Sequence, residues 1–75
     1  MSLEAWIEAQ GYGAIQRLHE ASRVSLPAIA RAREGRASLA TAIKLSDATG
    51  GEVRIATMTA DEVPPELERR RKRVA

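Results

Sequence analysis

The sequence predicts an all-α fold of four short helices, followed by a short C-terminal strand and a basic tail. Three observations carry this. Apolar residues recur at helical spacing in four windows. Serines, good helix caps, stand at Ser2, Ser25 and Ser38, just ahead of three of those windows. Glycines, good helix stops, stand behind three of them at Gly11, Gly35 and Gly50-Gly51. A chain of 75 residues makes one domain and a small core. It has no Cys and one His, so disulfides and thiolate metal sites are excluded and no cofactor is expected.

The first helix spans Ser2 to Gln10. Ser2 caps it, with Ala5 where a capping box would place Glu. Leu3, Trp6 and Ile7 form its apolar face, and Trp6 is expected in the core. The second helix begins at Tyr12 or Gly13 and ends at Ser22. Ile15, Leu18 and Ala21 or Ser22 form its inner stripe, while Gln16, Arg17 and Glu20 face out. Tyr12 either covers the core or touches a phosphate through its hydroxyl. Arg23-Val24 breaks the pattern, and Val24 reads as a buried plug. The third helix follows Ser25, with Pro27 tolerated in the first turn. Ala28, Ile29 and Ala32 lie on its inner side, and Gly35 stops it.

Ser38 opens the fourth helix, Leu39–Thr49, whose apolar face is Leu39, Ala42, Ile43 and Leu45 or Ser46. Beyond Gly50-Gly51, Glu52-Val53-Arg54-Ile55 alternates polar and apolar and reads as a short strand. A lone strand is unstable. It either pairs with a two-fold mate, making Glu52, Val53, Arg54 and Ile55 a dimer interface, or lies back along the helices. Thr59 to Glu62 matches a capping box, but Pro64-Pro65 limits any helix there to one turn. Pro65 can start a last helix through Leu67. The expected division is a folded domain over 1–56 and an extended, acidic-then-basic segment over 57–75.

Lys and Arg number 12 against 10 Asp and Glu, a net of +2. The distribution is uneven: residues 17–44 carry +4, residues 45–68 carry −5, and 69–73 are Arg-Arg-Arg-Lys-Arg. Two basic blocks suggest a polyanion partner, although charge alone equally describes a solvated surface. The terminal run is either that or an arm along DNA. No base is placed near a Ser or Thr and no Gly-rich phosphate loop is present, so an enzyme is not expected. No apolar run is long enough to span a membrane, and the N-terminus shows no secretory signal. A reducing cytoplasm, at the nucleoid, is the expected location.

Two short helices joined by a tight turn, the second small-faced and basic, describe a helix-turn-helix. A B-form major groove admits one helix, whose N-terminal half presents side chains to base edges. Here that half offers Ser25, Leu26, Pro27, Ala30 and Arg31. Arg31 is suited to bidentate pairing with guanine, or failing that to a phosphate. Leu26 and Pro27 suit a thymine methyl. Arg33, Arg36 and Lys44 are placed for phosphates, as are the N-termini of the second helix (Gln16, Arg17) and the fourth (Ser38, Thr41).

The stretch from Ala14 to Gly35, followed by Leu39 to Gly51, resembles the small Cro-type and YdaS-like phage or prophage repressors of the lambda-repressor-like class. The resemblance covers residues 3–56. It implies a sequence-specific double-stranded DNA-binding regulator, a homodimeric repressor that blocks a promoter by occupying a pseudo-palindromic operator. The class usually has a small residue where this chain has His19, and glycine in the turn where it has Arg23. His19 is expected to pack edge-on between the helices or tilt them. Arg23 is expected to need a turn conformation other than the positive φ of glycine. Two rival readings remain: an antitoxin-like or adaptor protein whose residues 45–68 bind a partner protein, and a helical interaction domain without DNA binding.

Overall fold

Four α-helices follow one another along residues 1–67, the part of the chain that this computed structural model describes. They are α1 (Leu3–Gln10), α2 (Ala14–Ser22), α3 (Leu26–Arg33) and α4 (Leu39–Ala48), with a 3₁₀ turn over Ile55–Thr57. The Arg-Arg-Arg-Lys-Arg run lies outside the described residues.

The helices start and stop by local chemistry. Ser2, Ser25 and Ser38 each accept a hydrogen bond from the backbone N–H three residues on, at 3.1, 3.3 and 3.3 Å. Glycines in the left-handed region close α3 and α4, at φ 74° for Gly35 and 69° for Gly50. At each end the following residue donates back into the last turn, Arg36 to the Arg31 carbonyl and Gly51 to that of Ser46. The start of α2 is different: Gly13 precedes it with no side chain to cap it.

The core is built around α4, against which α2, α3 and the 3₁₀ turn pack. Leu3, Leu18, Val24, Ile29, Leu45, Val53, Ile55 and Met58 fill it, and Val24 is the plug expected of it. Trp6 and Ile7 are half-buried against this cluster. The inner face of α2 is centred on Ala14 and Leu18; of the expected stripe Leu18 is buried, Ile15 and Ser22 are half-buried, and Ala21, the alternative to Ser22, is exposed. Alanine at both 14 and 21 carries too little hydrophobic signal to fix the helix phase from spacing alone. Tyr12 is fully exposed and does not cover the core.

The expected strand is absent. Residues 52–55 make no ladder, and the one extended pairing among the described residues is a single parallel bridge, Ala37 to Thr59. The chain turns at Gly50-Gly51 and lies back across α4, the alternative course. Thr49 Oγ1 accepts from the Val53 N–H at 3.3 Å, and Val53, Ile55 and Met58 are all 0% exposed. Two inward side chains two residues apart satisfy a 3₁₀ lid as well as a strand, so alternation did not separate them. Val53 and Ile55 are therefore core residues and not a free dimer edge. Glu52 instead accepts from the Trp6 indole N–H at 3.1 Å.

The packed body also runs past residue 56. Met58 and Thr59 are buried, and Ala37 N–H donates to the Met58 carbonyl at 3.0 Å. No helical turn forms over Thr59 to Glu62. Thr59 Oγ1 takes the Asp61 N–H at 3.1 Å, and helical geometry resumes only at 65–67. Among the described residues no helix is long and apolar enough to cross a membrane.

Candidate nucleic-acid interface

Residues 23–25 join α2 to α3, and side chains bolt this turn in place. Ser22 Oγ donates to the Leu18 carbonyl at 2.6 Å and accepts from the Val24 N–H at 3.2 Å. His19 Nδ1 stands 2.7 Å from the Val24 carbonyl, close enough to donate to it. His19 thus ties the turn to α2, more than simply packing beside it. Arg23 adopts φ 60°, ψ 23°, the left-handed conformation expected of glycine and not of this residue. Its N–H caps α2 through the His19 carbonyl at 2.9 Å. Neither His19 nor Ser22 is marked by a motif for this turn. Their signal was positional: both fall within five residues of the break at Arg23-Val24.

With the turn fixed, Ile29 and Ala32 are buried and the other side of α3 is open. Leu26 is 47% exposed, and Pro27, Ala30 and Arg31 are exposed beside it. Arg31 forms no ion pair among the described residues. It lines a hollow of about 420 Å³ together with Arg36, Ser38, Thr41 and Asp61. The structure therefore brings Arg31, Arg36, Ser38 and Thr41 to one place. Arg36 holds Glu34 at 3.0 Å, but both side chains are largely exposed, so this pair is weak and exchangeable.

Other expected contacts are engaged elsewhere. Arg33 reaches across to α1 and grips Glu4: its Nη2 lies 2.5 Å from Oε1 and 2.9 Å from Oε2, and Nε lies 3.2 Å from Oε2. These hydrogen bonds hold the Glu4 carboxyl below its ordinary value; partial desolvation opposes them and the Arg33 charge adds to them. Arg33, expected at a phosphate, is thus engaged by Glu4 in a part-exposed pair. Arg17, though exposed, folds back along the chain surface and donates to the Tyr12 and Gln10 carbonyls at 3.3 and 3.4 Å. Gln16 donates to Glu20 at 3.2 Å. Lys44 borders a separate hollow with Ala21, Ser22 and Asp47, which shares no residue with that of Arg31.

The start of α4, expected to face a phosphate, already has anionic company. The Leu39 N–H donates to Asp61 Oδ2 at 3.1 Å, across 22 positions of sequence. Nothing local marks Asp61 for this role. No family model matches the chain, and no curated protein or solved structure matches it.

Proposed function

We propose that this chain is a sequence-specific double-stranded DNA-binding regulator, a lambda-repressor-like helix-turn-helix domain that acts as a dimeric repressor at a promoter. One observation carries the reading. A rigidly wired α2–turn–α3 unit exposes Leu26, Pro27, Ala30 and Arg31 on a single face, with the Arg31 guanidinium unpaired among the described residues. Such a helix fits a major groove, where a guanidinium can pair with guanine and Leu26 or Pro27 can meet a thymine methyl. Arg36, and the helix starts nearby, supply phosphate contacts that give register and affinity without sequence information. Dimerisation through Val53 and Ile55 would require them to leave the core, so the two-fold partner of this reading docks on another surface.

The test is selection of binding sites from a random duplex pool at two salt concentrations, read by sequencing. An enriched inverted repeat is the expected result. Arg31→Ala should then cost about 1–3 kcal/mol and relax one base position. An equal loss on every sequence would make Arg31 a phosphate contact and sink its assignment as a base reader. Absence of any duplex binding at low salt would overturn the whole reading.

A further inference from the structure

We infer that His19 is the positioning residue of the proposed DNA face: its ring holds the peptide that leads into α3 and so sets how Arg31 meets a base. The inference rests on the DNA-binding reading above and deepens it, because it names what that face needs in order to tell one sequence from another.

The contact is the first support. His19 Nδ1 lies 2.7 Å from the Val24 carbonyl in a part-buried setting. A carbonyl only accepts, so Nδ1 carries the proton and the neutral ring is the Nδ1–H tautomer. Among the described residues no backbone group bonds the Val24 N–H or its carbonyl. Side chains of α2 hold both, Ser22 Oγ taking the N–H at 3.2 Å and His19 donating to the carbonyl.

The place of that carbonyl in the chain is the second support. It belongs to the peptide between Val24 and Ser25, and Ser25 caps α3 through the Ala28 N–H. Leu26, Pro27 and Arg31 stand on the helix anchored there. The turn does not hold itself, since Arg23 is kept at φ 60°, a conformation unfavourable for an L-residue. Releasing the Val24 carbonyl gives the entry to α3 other courses.

The third support is that His19 lies outside the apolar core. Leu18, Val24 and Ile29 hold α2 and α3 together by burial, and His19 is half-buried beside them. Burial is non-directional, whereas a hydrogen bond fixes a direction. A guanidinium that pairs with both acceptors of guanine needs its support held to about 0.5 Å. Phosphate contacts supply affinity whatever the sequence. Loss of the His19 bond therefore falls on sequence discrimination and spares the charge-driven share of binding.

The test uses the full chain, the duplex enriched from the random pool and a scrambled duplex of the same length. Asparagine places its amide nitrogen where Nδ1 stands, while glutamine places it nearer Nε2. His19→Asn thus keeps the donor and His19→Gln loses it. His19→Gln is expected to bind the enriched duplex about tenfold more weakly, the worth of one hydrogen bond, with the scrambled duplex and the salt slope unchanged. His19→Asn is expected to bind both duplexes as the parent does. Nitrogen NMR of this ring, the single histidine, should show the Nδ1–H tautomer when neutral, where a free imidazole side chain favours Nε2–H. An Nε2–H ring would remove the contact and overturn the inference, leaving the DNA reading intact. So would unchanged specific binding in His19→Gln, an equal loss in His19→Asn, or a loss shared by both duplexes. Thermal melts run beside these; a His19→Gln chain that no longer folds would make the bond structural and overturn the positioning role. A parent that binds neither duplex at low salt, or both alike, would overturn the DNA reading and this inference with it, whichever tautomer the ring shows.

Discussion

Arg23 sits at a backbone conformation that costs an L-residue about 1–2 kcal/mol, and neighbouring side chains hold it there. The His19 and Ser22 bonds fix the peptides on either side, leaving Arg23 no other way to connect α2 to Val24. Arg23→Gly should therefore stabilise the fold by roughly 1 kcal/mol, and a β-branched replacement such as Arg23→Val should destabilise it. Urea denaturation of the two variants checks this; a lower midpoint for the glycine variant would contradict the strain. Ser46 is a second local cost. Its hydroxyl is buried on α4 and finds no hydrogen-bond partner among the described residues. Removing an unpaired buried hydroxyl recovers its desolvation, so Ser46→Ala should raise stability by about 1 kcal/mol. A melt lower than that of the parent would mean that the hydroxyl has a partner after all.

At the scale of elements, the segment after α4 matters most. Residues 53–58 close the core from below α4, with Val53, Ile55 and Met58 as the inserted side chains. Truncating a fully buried isoleucine costs about 2–5 kcal/mol. Ile55→Ala should thus lower the melting temperature by a similar amount at every protein concentration. A loss seen only in dilute protein would restore the intermolecular strand. The entry to α3 is the other sensitive element. Ser25→Ala removes its cap and should cost about 1 kcal/mol. It should weaken duplex binding as well, because the cap sets where Leu26 and Pro27 point.

For the whole molecule, the Glu4–Arg33 clamp joins α1 to the helix proposed to meet DNA. Glu4 has its folded pKa depressed below the ordinary 4.5. A depressed carboxylate contributes stability that is present above 4.5 and lost as pH falls through the lower folded value. Stability should fall on the acid side of that window, and Glu4→Gln should flatten the fall; identical acid limbs would show that Glu4 adds nothing there. Size also bears on assembly. The longest dimension is 32 Å, and half-sites in successive major grooves lie about 34 Å apart. On the proposed DNA-binding reading one copy, with one such exposed helix, would cover one half-site, so an inverted repeat should recruit two chains, countable by native mass spectrometry of the complex. The run at 69–73 lies outside the described residues. Deleting 69–75 should weaken binding to all sequences alike and flatten the salt slope, if the run contacts phosphates.

The sequence by itself determined the helices and the outward face of α3. Caps and stops are chemistry among residues a few positions apart, so Ser2, Ser25, Ser38, Gly35 and Gly50 announce themselves without knowledge of the fold. Once Ile29 and Ala32 are read as inward, helical geometry alone leaves Leu26, Pro27, Ala30 and Arg31 outside. What only the tertiary structure decided are the meetings of distant residues. Arg31 and Arg33 look alike along the chain, yet α1 brings Glu4 to Arg33 across 29 positions and leaves Arg31 open. Asp61 reads as part of a local cap and instead caps α4. The alternation at 52–55 predicted a strand, but the floor of α4 was uncovered and burying Val53 and Ile55 there satisfied them within one chain. Periodicity states which residues want to be buried; only the packing of the helices states what they are buried against.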